Sequence, residues 1–372
     1  MSDISSPAVP ASHPHNSTIS YIKGVAILMI MLIHLLDWST LKIGVDFPLW
    51  LREFLYPGVF FFLFLSGAVV YIAYNSRPLL VATQRLFRRG VEIFAIYYIY
   101  SIVKFWLFST GKYPIDVEPI YYQFKSAGTW NWEGVLGLHA YAVPIGILLT
   151  IAMCLFVSPL FLWITQKVKF PKLVLSGILA VLMYIGFYTH PESSFLVDFL
   201  WSQNFIFFPP VLWLIPFLIG YLMASFGLEE KKEVWLFFFS VGVVWMSYYL
   251  FLHGKAIHPT WYMFPLQPYY VLMSLFVLSV LLFIFDFVSQ LSFWGKPYLL
   301  GLLRFWGDHT LSLYLVHWVV IDATLYFAFP YGYASYPIIF TTVPLMIVIF
   351  TLVRWKKAKK AIQAEMETGI VS

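Results

Sequence analysis

Residues 22–38, I-K-G-V-A-I-L-M-I-M-L-I-H-L-L-D-W, form an apolar run interrupted only by Lys23, His34 and Asp37. Such a run is long enough to cross the hydrocarbon core of a bilayer as one helix. Further runs of the same kind follow at 59–74, 91–108, 141–164, 173–189, 205–225, 234–252, 270–285, 310–329 and 337–353. The predicted fold is therefore all-α, a polytopic membrane protein with about ten transmembrane helices.

Composition points the same way. Of 372 residues, 61% are hydrophobic and 11% charged, where soluble domains carry about 25% charged residues. With a mean hydropathy of +0.80, this excludes a soluble enzyme, a disordered chain and a coiled coil. The single cysteine, Cys154, lies inside an apolar run and supplies neither a disulfide framework nor a thiolate metal cluster. The net charge of +5 is scattered between apolar runs instead of lining one basic face, so nucleic acid is not an expected partner.

An even number of spans puts both termini on one side, and the basic residues say which. With the N-terminus in the cytoplasm, the inner loops and tail collect Arg77, Arg85, Arg88, Arg89, Lys167, Lys169, Lys172, Lys231, Lys232, Lys296, Arg304, Arg354 and the lysines of residues 356–360. Only Lys42, Arg52, Lys112, Lys125 and Lys255 fall outside. The orientation read from this asymmetry is N-in and C-in. Residues 1–18, polar and without a signal-peptide pattern, read as a mobile cytoplasmic tail, residues 19–354 as the transmembrane domain, and residues 355–372 as a basic cytoplasmic tail near anionic lipid heads. The longest polar connection, 109–140, falls on the outer face and contains Trp130, Asn131, Trp132, Glu133 and His139. A loop of that length is a lid, a binding loop or a partly interfacial segment.

Function must then lie in ionisable groups inside the membrane, where each is costly. Lys23, His34, Glu92, His317 and Asp322 qualify, with Asp37 and Lys104 nearer the outer boundary. On a helix, Lys23 and His34 fall on one stripe about 16 Å apart. A cation at the cytoplasmic mouth and an imidazole at depth suit an anionic cofactor that pushes its reactive end inward; a snorkelling lysine and a helix-bonding histidine are the other reading. Arg85, Arg88 and Arg89 follow at i, i+3 and i+4, facing one way. Three guanidinium forks match the pyrophosphate and ribose phosphate of coenzyme A, and equally an ordinary positive-inside loop.

These residues resemble acyltransferase family 3, integral membrane acyltransferases whose first span opens with Arg or Lys, ten residues, then His. That pattern is Lys23 to His34 here; G-V-F-F-F-L-F-L-S-G at 58–67 is similar to the family's second helix, and Arg85-Leu86-Phe87-Arg88 to its R-x-x-R motif. F-L-I-G-Y at 217–221 and L-S-L-Y-L-V-H-W at 311–318 resemble later segments. The resemblance implies transfer of an acyl group, usually acetyl, from cytoplasmic acyl-coenzyme A to a hydroxyl of a glycan, lipid-linked sugar or small molecule. It implies His34 as the catalytic imidazole, with Lys23, Arg85 and Arg88 also important. The chain lacks the W-S-L-x-x-E pattern of relatives with fused extracytoplasmic domains, and His139-Ala140-Tyr141 looks instead like the compact members, so no carboxylate partner is carried over.

Chemistry argues for the same role. A hydroxyl attacks a thioester poorly until its proton is taken, and imidazole, with an ordinary pKa of about 6.5, suits that task near neutral pH. Asp37, three residues after His34, is a candidate orienting partner or an end cap of the helix. Arg89 joins the donor-binding set. His317 either lines the cavity of His34 or makes an interhelical bond, and His139 with Trp130 is a candidate for acceptor contact, the indole stacking on a sugar. Asp322 and Lys104 are expected to neutralise each other, and Glu92 to pair with Arg88.

The expected protein is thus a membrane O-acyltransferase of bacterial inner-membrane type, using acetyl-coenzyme A or another acyl-coenzyme A, with no metal. Membrane lipids and the hydroxyl acceptor are its other partners, and the oligomeric state stays open. Direct transfer is expected, since Cys154 has no evident activating base. The alternatives are a transporter or flippase of a glycan or lipid-linked substrate, and an acyl channel feeding a separate transferase.

Overall fold

The computed structural model describes residues 17–43, 54–109, 124–126, 140–142, 145–188, 200, 208–227, 232–253, 266–291, 296–328, 342–354 and 356. The two expected tails, apart from residues 17, 18 and 356, lie outside the described residues. The first helices are α1 (Ser17–Ile43), α2 (Pro57–Tyr74), α3 (Leu79–Ser109), α4 (Gly146–Lys167), α5 (Pro171–Tyr188) and α6 (Pro210–Ser225). They are followed by α7 (Lys232–His253), α8 (Pro268–Gln290), α9 (Lys296–Asp308) and α10 (Thr310–Ala328). A last helix, α11, covers Thr342–Arg354. Between α3 and α4, β1 (Phe124–Ser126) pairs antiparallel with β2 (Ala140–Ala142), Lys125 opposite Tyr141.

Each apolar run carries one helix. Among the described residues, six helices, α1 to α5 and α8, are long and apolar enough to cross a membrane. α6 is shorter than its run because it starts at Pro210, with Pro209 as N-cap. Proline is favoured at a first helical position, where its missing N–H costs nothing. The proline pair therefore sets where the helix begins. With 16 residues, α6 rises about 24 Å, and Gly227, at a φ of 81°, follows its end. α9 lies between two runs, outside the expected spans; it is 13 residues long and carries Arg304 and Asp308.

The phenylalanine-rich α2 is central and α5 peripheral: 67% of the apolar window of α2 is buried, against 6% for α5. Phe60, Phe61 and Phe64 of α2 join Trp213 of α6 and Tyr270 of α8 in the core. Since lipid tails are as apolar as leucine, helices in a membrane gain by close approach at small residues. The α2–α6 crossing shows this. A Cβ on Gly67 would strike the Phe217 carbonyl oxygen, and one on Gly220 that of Phe64. A second close crossing brings α9 onto α1, with Gly24 against the Leu303 backbone and Gly307 against that of Ser20. That contact holds the end of α9, with Asp308, beside the first turns of α1.

Candidate active site

Two features lie along α1, one at each end of the Lys23 to His34 stripe. At the Lys23 end is a cavity of about 510 Å³. Lys23 of α1, Arg85, Arg88, Arg89 and Glu92 of α3, and Asp308 of α9 form its charged lining. Its apolar wall comes from α2, with Phe62, Leu65 and Val69, from α4, with Leu148, Ile151 and Leu155, and from Leu311 of α10. The structure thus brings the four expected donor-binding cations to one cavity.

Their charges are not equally committed. Arg88 Nε donates to Glu92 Oε1 at 3.1 Å and Arg89 Nη1 to Glu92 Oε2 at 3.0 Å, so Glu92 pairs with both arginines where the spacing predicts Arg88. Asp308 accepts a hydrogen bond from Ser20 Oγ at 2.9 Å, lies 3.9 Å from Arg304 Nε, and interacts electrostatically with Lys23. No local feature of the sequence points to Asp308, because only the α1–α9 crossing brings it to the site.

At the other end, His34 Nδ1 lies 3.1 Å from His317 Nε2 of α10. The two rings are nearly parallel, at 8°, with centroids 5.3 Å apart. Of the two expected placements of His317, the interhelical bond is the one observed. His317 has no exposed surface, while His34 keeps some. The second ring nitrogen of His317, Nδ1, is 3.3 Å from the Leu313 carbonyl oxygen. A carbonyl only accepts, so His317 Nδ1 carries the proton and its Nε2 is left as acceptor. His34 must then donate from Nδ1. In neutral His34 this leaves Nε2 with its lone pair free, the form a general base needs.

A buried polar group backs this pair. Trp318 packs its ring against His34 with centroids 4.4 Å apart, and Lys104 Nζ of α3 lies 5.8 Å from the centre of the same indole. Lys104 is bonded to Asp322 Oδ1 at 3.0 Å, both side chains being almost fully buried, and Tyr100 also donates to Asp322. The expected neutralisation of Lys104 by Asp322 is therefore observed, and the indole of Trp318 is near both the ammonium and His34. Asp37 follows His34 on α1, but its side chain lies outside the described residues, as do His139 and Trp130. No group of three or more metal-ligating side chains occurs among the described residues.

The arrangement holds cations around one cavity, an apolar wall behind them and an oriented imidazole further along α1. A family model described as an acyltransferase domain, that of acyltransferase family 3, matches residues 16–355. No curated protein and no solved structure matches the chain significantly.

Proposed function

Since the chain belongs to acyltransferase family 3 and is a membrane acyltransferase, we propose that it moves an acyl group, acetyl in the first place, from cytoplasmic acyl-coenzyme A to a hydroxyl. The acceptor class is a cell-surface glycan, a lipid-linked sugar or a small molecule. The full chain crosses the inner membrane of a bacterium about ten times, with both termini in the cytoplasm. The observation that carries the reading is the gathering of Lys23 of α1 with Arg85, Arg88 and Arg89 of α3 around one cavity, Lys23 being on the same helix that presents His34 deeper in the membrane.

Coenzyme A fits that lining. Its phosphates match the guanidinium forks and the Lys23 ammonium, and its pantetheine arm matches the apolar wall of Phe62, Leu65 and Val69. Held there, the donor points its thioester along α1 towards His34. His34 Nε2 takes the proton of the acceptor hydroxyl as the oxygen attacks the thioester carbon. The carbon–sulfur bond then breaks, and the imidazolium returns the proton to the leaving thiolate, so coenzyme A departs as the thiol. His317 holds His34 in the required tautomer throughout and does not itself exchange a proton.

Calorimetry with acetyl-coenzyme A on the detergent-purified protein tests the donor site. Binding in wild type that Arg85→Ala weakens supports it. A folded wild type that binds no coenzyme A derivative would sink it and leave transport of a glycan or lipid-linked substrate as the better reading.

A further inference from the structure

Among the described residues, the donor cavity and the histidine pair do not share a wall. The cavity is lined by Phe62 of α2 and Leu311 of α10, and neither His34 nor His317 belongs to its lining. Tyr314 packs against a residue of each. Its ring centroid is 5.8 Å from that of Phe62 on the cavity side and 5.1 Å from that of His317 on the other. Leu311, Tyr314 and His317 follow each other at three-residue intervals along α10, so the tyrosine sits midway along about 9 Å of helix between the cavity-lining leucine and the imidazole. It is 2% exposed.

For transfer to occur, the thioester carbon must come within reach of His34. The sulfur then arrives from the cavity, and the acceptor oxygen needs the remaining access to His34. The rings that connect the cavity to the pair, Phe62 against Tyr314, Tyr314 against His317 and Trp318 against His34, are then the surfaces an acyl substituent has to pass. Interiors are close-packed, so a methyl group can be admitted by a small ring displacement where a chain of several methylenes cannot.

We propose that Phe62 and Tyr314 form an aromatic wall that limits the donor to short acyl groups, with Tyr314 as the principal specificity-determining residue. The inference rests on the acyl-donor reading of the cavity. It adds to that reading the reason the acyl group should be small, and it assigns Tyr314 a role beyond its packing and its bond with Trp318.

The test is calorimetry of coenzyme A, acetyl-, butyryl- and hexanoyl-coenzyme A on the full-length protein in detergent, for wild type, Tyr314→Phe, Tyr314→Ala and Phe62→Ala. A pocket that rejects extra methylenes discriminates by about tenfold or more, so wild type and Tyr314→Phe should bind hexanoyl- about tenfold more weakly than acetyl-coenzyme A. Tyr314→Ala should abolish the difference while its affinity for coenzyme A stays within about twofold of wild type. Phe62→Ala should narrow the difference too, which keeps the inference testable if Tyr314→Ala does not fold. Equal wild-type affinity for all three acyl donors would overturn the inference, as would an unchanged chain-length order in every folded variant. Wild type that binds none of the four compounds would instead overturn the donor reading, and this inference with it.

Discussion

His34 of α1 and His317 of α10 share one hydrogen bond, 3.1 Å long, between residues 283 positions apart in the chain. Because the Leu313 carbonyl accepts from the Nδ1–H of His317, the bond between the two histidines has a direction, and His34 is the member left with a free nitrogen. The two histidines are therefore not interchangeable.

That asymmetry sets the first prediction. His34→Ala should abolish acyl transfer and leave acetyl-coenzyme A affinity close to wild type. His317→Ala should lower kcat by about a hundredfold or more, the usual worth of an oriented base, without removing it altogether. His317→Gln, which can still accept from His34, should recover part of the rate. Full turnover in purified His34→Ala would show that the base lies elsewhere.

The arginines should separate binding from stability. Arg88 is 84% exposed and its bond to Glu92 lies at the surface, where solvent and salt leave an ion pair little net worth. Arg88→Ala and Arg85→Ala should thus leave the thermal midpoint nearly unchanged. Each should weaken acetyl-coenzyme A binding by about tenfold or more, the equivalent of one lost charge-assisted hydrogen bond. Calorimetry that finds wild-type affinity in both variants would count against phosphate contact at these positions.

Lys104 and Asp322 present the opposite case. Their pair is buried, so removing one partner strands a charge at a cost of about 3–5 kcal/mol. Lys104→Met should lower the thermal midpoint in detergent sharply, and combining it with Asp322→Leu and Tyr100→Phe should restore much of the loss. A single variant as stable as wild type would mean that the pair carries no such role.

The α2–α6 crossing gives a packing test with its own control. Gly220→Ala places a methyl group against the Phe64 backbone, and overpacking of this kind costs about 1–3 kcal/mol. Gly177→Ala in α5 meets nothing within 4 Å and should be neutral or slightly stabilising, since alanine is the better helix former. Equal thermal midpoints for the two variants would argue against the close crossing.

Helices are legible in the sequence because a bilayer demands long apolar runs, and the spacing of Lys23, His34 and the arginines already places the donor-binding candidates on two helix faces. Depth alone also pairs Lys104 with Asp322. What spacing does not supply is contact between distant helices. Nothing local to His317 shows that its nitrogen meets His34, and nothing local to Asp308 shows that a glycine crossing brings it to the cavity. α9 is hidden for a different reason. Its charged residues interrupt the hydrophobicity by which the runs are recognised, although its packing against α1 builds part of the cavity rim.

α1 also acts as a ruler between the two ends of the site. Each residue on it adds about 1.5 Å of reach and about 100° of rotation. Inserting a single residue anywhere between positions 23 and 34 would therefore swing His34 off His317 while leaving every side chain in the segment chemically unchanged. Adding four would bring the imidazole back to nearly the same face but about 6 Å too far along. Apolar substitutions between the two positions, Gly24 at the α9 crossing excepted, should accordingly be better tolerated than changes in length.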